Sequence, residues 1–237
     1  MIRELTDLLL PRTCLVCGCR LGAQEDHLCV WCAADLPLTY TWERPHNVMA
    51  DRFNATLELL RPESQPLDYA YAASLLFYHD ENPYKRIPQA LKYRHNLKAG
   101  RHFASLLGSY LAQAPHFATV DTVIPVPLHW RRKWHRGYNQ AEVIAAELAR
   151  ALHVPLRANV LLKTRHTRSQ TSMDAAQRLN NMADVFLLSH RLPARHILLV
   201  DDTFTTGATL AACHNAIRSA LGPSVRISVA TLAMVEA

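Results

Sequence analysis

The residues best equipped for chemistry stand in one run, Ile197-Leu198-Leu199-Val200-Asp201-Asp202-Thr203-Phe204-Thr205-Thr206-Gly207-Ala208-Thr209. Four apolar residues predict a buried strand, and two adjacent acids follow it. In an open α/β sheet, ligands bind beyond the carboxyl ends of the strands. A Thr/Gly loop comes next and opens a predicted helix from about Thr209 to Leu221. Backbone N–H groups at a helix start, with a glycine that permits close approach, cradle an anion. Thr205, Thr206 and Thr209 add hydroxyl donors. One end of this site therefore suits phosphate, and the acids suit hydroxyl groups or a hydrated metal. The competing reading is an acidic turn after a strand.

A second set of reactive side chains lies near the N-terminus. Cys14-x-x-Cys17 and Cys29-x-x-Cys32 are separated by eleven residues. Two such turns converge four thiolates on one point, the form of a closed, structural zinc site. A segment this short buries little, so metal binding would supply most of its folding free energy. The alternative is two disulfides, which need an oxidising compartment. Cys19 reads as a bystander, and Cys213 as a small buried hydrophobe.

Two stretches offer cations. Arg131, Arg132, Lys133 and Arg136 follow the short strand expected at Val120–Val126, again at a ligand-facing edge, with Trp130 and Trp134 among them. They suit pyrophosphate or a nucleic-acid backbone, and the tryptophans suit stacking on bases. A solvated basic loop is the plainer account. Arg165, Gln170 and Arg178 belong to a polar stretch without strong periodicity, read as a flexible loop able to close over a phosphorylated ligand, or simply as surface.

These groups need elements to hold them. Apolar residues at Phe103, Leu106, Leu107, Tyr110 and Leu111, and at Ala141, Ile144, Ala145, Leu148 and Leu152, predict amphipathic helices. Asn139 is placed to cap the second. Short apolar runs at 69–77, 120–126, 160–162, 197–200 and 225–232 predict strands. Helices alternating with such strands imply an α/β domain with a mostly parallel sheet. Pro37, Pro45, Pro62 and Pro66 mark a connector, with a short helix expected around Asp51 to Leu60. The expected division is a four-cysteine domain at 1–48, a connector at 49–67 and the α/β domain at 68–237.

Composition closes off other classes. The chain has 237 residues, 49% hydrophobic and 19% charged, which excludes an intrinsically disordered protein. The net charge of +6, with 21 of 26 basic residues arginine, fits nucleic acid or a phosphorylated small molecule without choosing between them. No run reads as a membrane span, and Met1 to Cys14 lack a signal-peptide core. A cytoplasmic location is expected.

The Asp-Asp-(x)3-Thr-Gly run resembles the phosphoribosyl-pyrophosphate (PRPP) signature of type I phosphoribosyltransferases. The order of motifs across nearly the whole chain resembles the ComF/GntX family. That order is the cysteine pairs, Leu91-Lys92-Tyr93, Pro125-Val126-Pro127-Leu128, Arg136-Gly137-Tyr138-Asn139-Gln140, then Arg165, Gln170, Arg178 and Asn181, then the acidic run. The resemblance implies a Rossmann-like phosphoribosyltransferase fold behind a small zinc ribbon. It implies that Asp201 and Asp202 hold ribose hydroxyls of PRPP with Mg²⁺. Thr203, Thr205, Thr206, Gly207, Ala208 and Thr209 would then bind PRPP through its 5′-phosphate. It links the chain to DNA uptake in competence and to use of DNA as a nutrient. Two functions stay open: a phosphoribosyltransferase of unknown acceptor, or a non-catalytic module that contacts single-stranded DNA and proteins of the uptake machinery.

Overall fold

The computed structural model describes residues 11–60, 68–79, 81–93, 96–128, 134, 137–163 and 185–236. Its strands are β1 (Ala72–Tyr78), β2 (Thr122–Pro125), β3 (Leu161–Lys163), β4 (Phe186–Leu188), β5 (His196–Phe204) and β6 (Arg226–Val235). Its helices are α1 (Val30–Ala34), α2 (Val48–Leu60), α3 (Arg86–Tyr93), α4 (Leu97–Gln113), α5 (Gln140–Leu152) and α6 (Ala208–Leu221). Four strands form one parallel sheet in the order β1-β6-β5-β2. β3 and β4 pair antiparallel as a separate ribbon.

Alternation along β5 divides the core. Leu198 and Val200 pack with Phe103 and Leu107 of α4 and Ile144 and Leu148 of α5. Ile197 and Leu199 pack on the opposite side with Phe53 and Leu57 of α2 and Leu210 and Ile217 of α6. Both faces are apolar because a parallel sheet needs crossover helices that cover it on each side. The neighbouring strands β2 and β5 thus send their following helices to opposite faces. Their carboxyl ends frame a topological switch point, the usual place for a ligand crevice in such sheets.

Residues 49–67 were expected to be a connector. The short helix expected within them at about Asp51 to Leu60 is present as α2, which begins earlier, at Val48, and whose Met49, Ala50, Phe53 and Leu57 are fully buried. Asn47 caps this helix by accepting the N–H groups of Met49 and Ala50, each at 3.0 Å, and its amide donates to Ala72 O of β1 at 3.0 Å. The prolines at 45 and 62 flank the helix rather than break it. The N-terminal segment also joins the core: Cys14, Val16, Leu21 and Cys29 bury with the α4 side of the sheet. Trp42 stacks on Tyr110 of α4 at 4.4 Å, and Arg86 donates to Val16 O at 2.7 Å. Among the described residues, no helix is long and apolar enough to cross a membrane.

Candidate functional site

The acids sit where β5 outruns its neighbour. The expected strand ended at Val200, but β5 continues to Phe204 through pairing with β6, which joins Asp201 to Thr231 and Thr203 to Ala233. On the other edge, pairing with β2 ends at Pro125 opposite Val200, with a last bond from Val126 N–H to Val200 O at 2.8 Å. The next rung would run from Asp202 N–H to Val126 O. There Val126 O accepts the Asn139 amide at 3.0 Å, and Asp202 N–H donates to Asp201 Oδ1 at 2.8 Å. Asp201 and Asp202 therefore lie beyond the last residue that β5 pairs with β2, and both are half-buried.

Asp201 shares the α6 side of β5. Its charge reaches the buried Cys213, whose thiol is pushed well up, first by burial and then by Asp201, with Lys163 acting the other way. Lys163 is the last residue of β3. Asp202 falls on the α5 side by strand alternation.

The loop beyond is held from behind. Arg52 of α2 donates to Thr205 O at 2.8 Å and to Val235 O at 2.6 Å, and lies over the Phe204 ring at 5.3 Å. Thr56 donates to Thr206 O at 2.9 Å. With these carbonyls drawn toward α2, the Thr205 and Thr206 side chains are exposed. Gly207 caps α6 in the left-handed region at φ +76°, and a Cβ there would lie 2.8 Å from Phe204. The cap residue has no side chain to offer the first turn of α6. Thr206 accepts the Ala208 N–H at 3.4 Å. Ala208 and Thr209 are half-buried in that first turn, and Thr203 is half-buried on β5.

The structure thus brings Asp201, Asp202, Thr203, Thr205, Thr206, Gly207, Ala208 and Thr209 together. Arg52 and Thr56 were not anticipated. Their signal lies only in how α2 packs, since neither belongs to a motif. Arg131, Arg132, Lys133, Arg136, Arg165, Gln170 and Arg178 lie outside the described residues. Trp134, which stands among the first of these cations in the sequence, is 86% exposed.

The cysteines converge as well, with one difference in membership. The thiols of Cys14, Cys17, Cys19 and Cys29 lie within 4.8 Å of one another. Cys19, expected as a bystander, is in this group. Cys32 is outside this group, but its thiol interacts with those of Cys29, Cys17 and Cys14. Gly18 at φ +78° allows the tight turn, in which Gly18 N–H donates to Cys14 O at 2.9 Å and Cys14 N–H to Cys19 O at 2.8 Å. Glu25 pins the facing loop by accepting Gly22 N–H at 2.6 Å and Val30 N–H at 2.7 Å.

The donor set fits a tetrahedral thiophilic cation. The Cys17 and Cys29 sulfurs are 3.7 Å apart. Zinc–sulfur bonds of ~2.3 Å give a tetrahedral edge of about 3.8 Å, whereas a disulfide requires ~2.05 Å. Charge is favoured at two of the thiols and opposed at two. The Cys19 N–H and then its thiol draw Cys17 down to about 6. Burial opposes ionisation of Cys14, but N–H groups of Cys17, Cys29 and Val16 outweigh it and lower its pKa. Cys19 is pushed up by its contacts with Cys17 and Cys29, and Cys32 by burial first. Among the described residues, these cysteines can hold a metal ion such as zinc.

No protein-family model matches the chain. Similar curated proteins do exist. "Competence protein F" of Haemophilus influenzae is 34% identical over 140 residues, 56% of this chain and 60% of that protein. "DNA utilization protein YhgH" of Escherichia coli K12 is 37% identical over 91 residues, 38% of this chain and 40% of that protein. "Competence protein ComFC" of Bacillus subtilis is 31% identical over 115 residues, 48% of this chain and 44% of that protein. The matched stretch is thus less than two thirds of each relative. A solved chain, TT1426 of Thermus thermophilus, overlaps at a TM-score of 0.34 with 17% identity, covering 58% of this chain and 83% of that one.

Proposed function

We infer that this chain, whose relatives support the ComF family, binds PRPP or a related phosphoribosyl ligand in the service of DNA uptake or DNA utilisation. One observation carries the reading: two half-buried acids at the end of β5, beyond its pairing with β2, run directly into a loop with exposed Thr205 and Thr206 side chains that opens α6. In this reading Asp201 and Asp202 accept hydrogen bonds from the ribose hydroxyls. Residues 205–209 and Thr203 bind the 5′-phosphate. Mg²⁺ accompanies the pyrophosphate, with cations of 131–136 and 165–178 alongside. Zn²⁺ at the cysteine cluster is structural: it ties the N-terminal segment to the core. Phosphoribosyl transfer at such a site would rest on positioning and on neutralising the leaving pyrophosphate.

The test is calorimetric titration with Mg²⁺ and PRPP of the wild type and of Asp201→Asn/Asp202→Asn. Saturable binding is expected in the wild type and its loss in the variant, with the thermal midpoint nearly unchanged because both acids sit beyond the pairing of β5 with β2. An unfolded variant would make the acids structural and overturn the assignment. No binding at millimolar ligand would do the same.

A second reading is favoured by Trp134, whose exposure is unusual for so large an apolar ring. Beside Arg131, Arg132 and Lys133 it suits single-stranded DNA, and a module of this kind could engage uptake proteins without turnover. Fluorescence titration with a single-stranded oligonucleotide should then show an affinity that falls steeply with salt. A slope unchanged by replacing Arg131, Arg132 and Lys133 would remove this stretch as the contact.

A further inference from the structure

Five thiols meet at a centre that has four positions for them. The Cys17–Cys29 edge is common to all the contacts. Cys19 touches the thiols of both, and so does Cys32. Cys14 lies within 4.8 Å of Cys17, Cys19 and Cys29, and its thiol also contacts Cys32. The triangle of Cys14, Cys17 and Cys29 is therefore capped twice, by side chains from two separate pieces of backbone. Cys19 ends the tight turn, held by the bond from Cys14 N–H to its carbonyl at 2.8 Å. Cys32 belongs to α1, and its carbonyl accepts the Tyr84 hydroxyl at 3.0 Å. Neither needs a backbone change to reach the triangle. Sequence spacing favours Cys32, whereas mutual distance favours Cys19.

We propose that Cys19 and Cys32 are interchangeable fourth ligands on a shared base of Cys14, Cys17 and Cys29. The centre then keeps a reserve thiol beside its metal and holds the metal when either fourth ligand is withdrawn. The proposal rests on the zinc reading above.

The test uses the full chain loaded with Co²⁺, whose thiolate charge-transfer band grows with the number of bound sulfurs, and zinc content measured by release to a chromophoric chelator. The variants are Cys19→Ser, Cys32→Ser and the double replacement. Cys32→Ala is added because Cys32 is half-buried, so a packing effect is not mistaken for a lost ligand. Each single variant should bind one metal with the full wild-type band. The double variant should lose about a quarter of the band, as three thiolates and a water would give. A single variant that already shows this loss, or a double variant that does not, overturns the proposal. A wild type that binds no metal fails differently, because it removes the zinc reading itself.

Discussion

At the scale of single residues, position 207 has the most stringent demand. Gly207 holds φ +76°, and a side chain there would meet the Phe204 ring at 2.8 Å. That ring has little room to yield, with Phe53 edge-on at 6.4 Å and Arg52 over its face. Gly207→Ala should therefore destabilise the protein by about 1–3 kcal/mol through backbone strain and contact. The measurement is the denaturation midpoint. An unchanged midpoint would show that the loop accommodates a Cβ and that Phe204 does not fix it. This demand was half visible beforehand: a glycine between Thr206 and a helix suggests close approach, but the ring that enforces it comes from packing.

At the scale of elements, Asn139 links two of them. Its Oδ1 accepts Ala141 N–H at 3.2 Å to cap α5, and its amide donates to Val126 O at 3.0 Å at the exit of β2. The second bond sits where the pairing of β2 with β5 ends. Asn139→Ala should cost about 1–3 kcal/mol, because it removes a cap and leaves a buried carbonyl unpaired. Chemical denaturation measures this, and a cost below about 0.5 kcal/mol would mean that neither bond matters to stability. The capping role was legible in the sequence, since Asn before an apolar 3.6-residue period is a helix start. The bond to Val126 O was not, because it depends on where β2 ends in space. In the same way α4, α5 and α6 were visible from their periodicity. The helix α2 was legible from about Asp51 to Leu60 despite the surrounding prolines, whereas β4, three residues long, was too short to carry a pattern.

At the scale of the molecule, two buried histidines set an acid limit. His196 opens β5 between Thr119 Oγ1 at 2.7 Å and Ser228 Oγ at 2.8 Å, and burial, aided by Arg226, lowers it to about 4. His214 of α6 is also lowered to about 4, chiefly by burial. Both are neutral in the fold, while the unfolded chain takes up the proton near ~6.5. Their contribution to stability is therefore whole above pH ~6.5 and is lost as pH falls toward 4, by about 1.4 kcal/mol per pH unit for each histidine. Unfolding free energy followed from pH 7 to 4 should show this slope, and His214→Gln should remove one proton's share. A variant with an unaltered slope would place the acid sensitivity elsewhere.

The sequence by itself determined the chemistry available and the class of fold. Apolar runs with period two or none, alternating with helical periods, leave a parallel α/β sheet as the economical way to bury both faces. Acids followed by a Thr/Gly turn, and paired cysteines, declare their ligand types through their own donor atoms. Tertiary structure decided which neighbours complete each site. Only the staggered ends of β2 and β5 leave Asp201 and Asp202 beyond the pairing of the two strands, and only α2 behind the loop turns its carbonyls inward through Arg52 and Thr56. Only the folding of α1 against the N-terminal turn brings five thiols, rather than the four that spacing selects, to one centre. Sequence spacing constrains residues close along the chain, and these arrangements depend on partners brought near by a shared core.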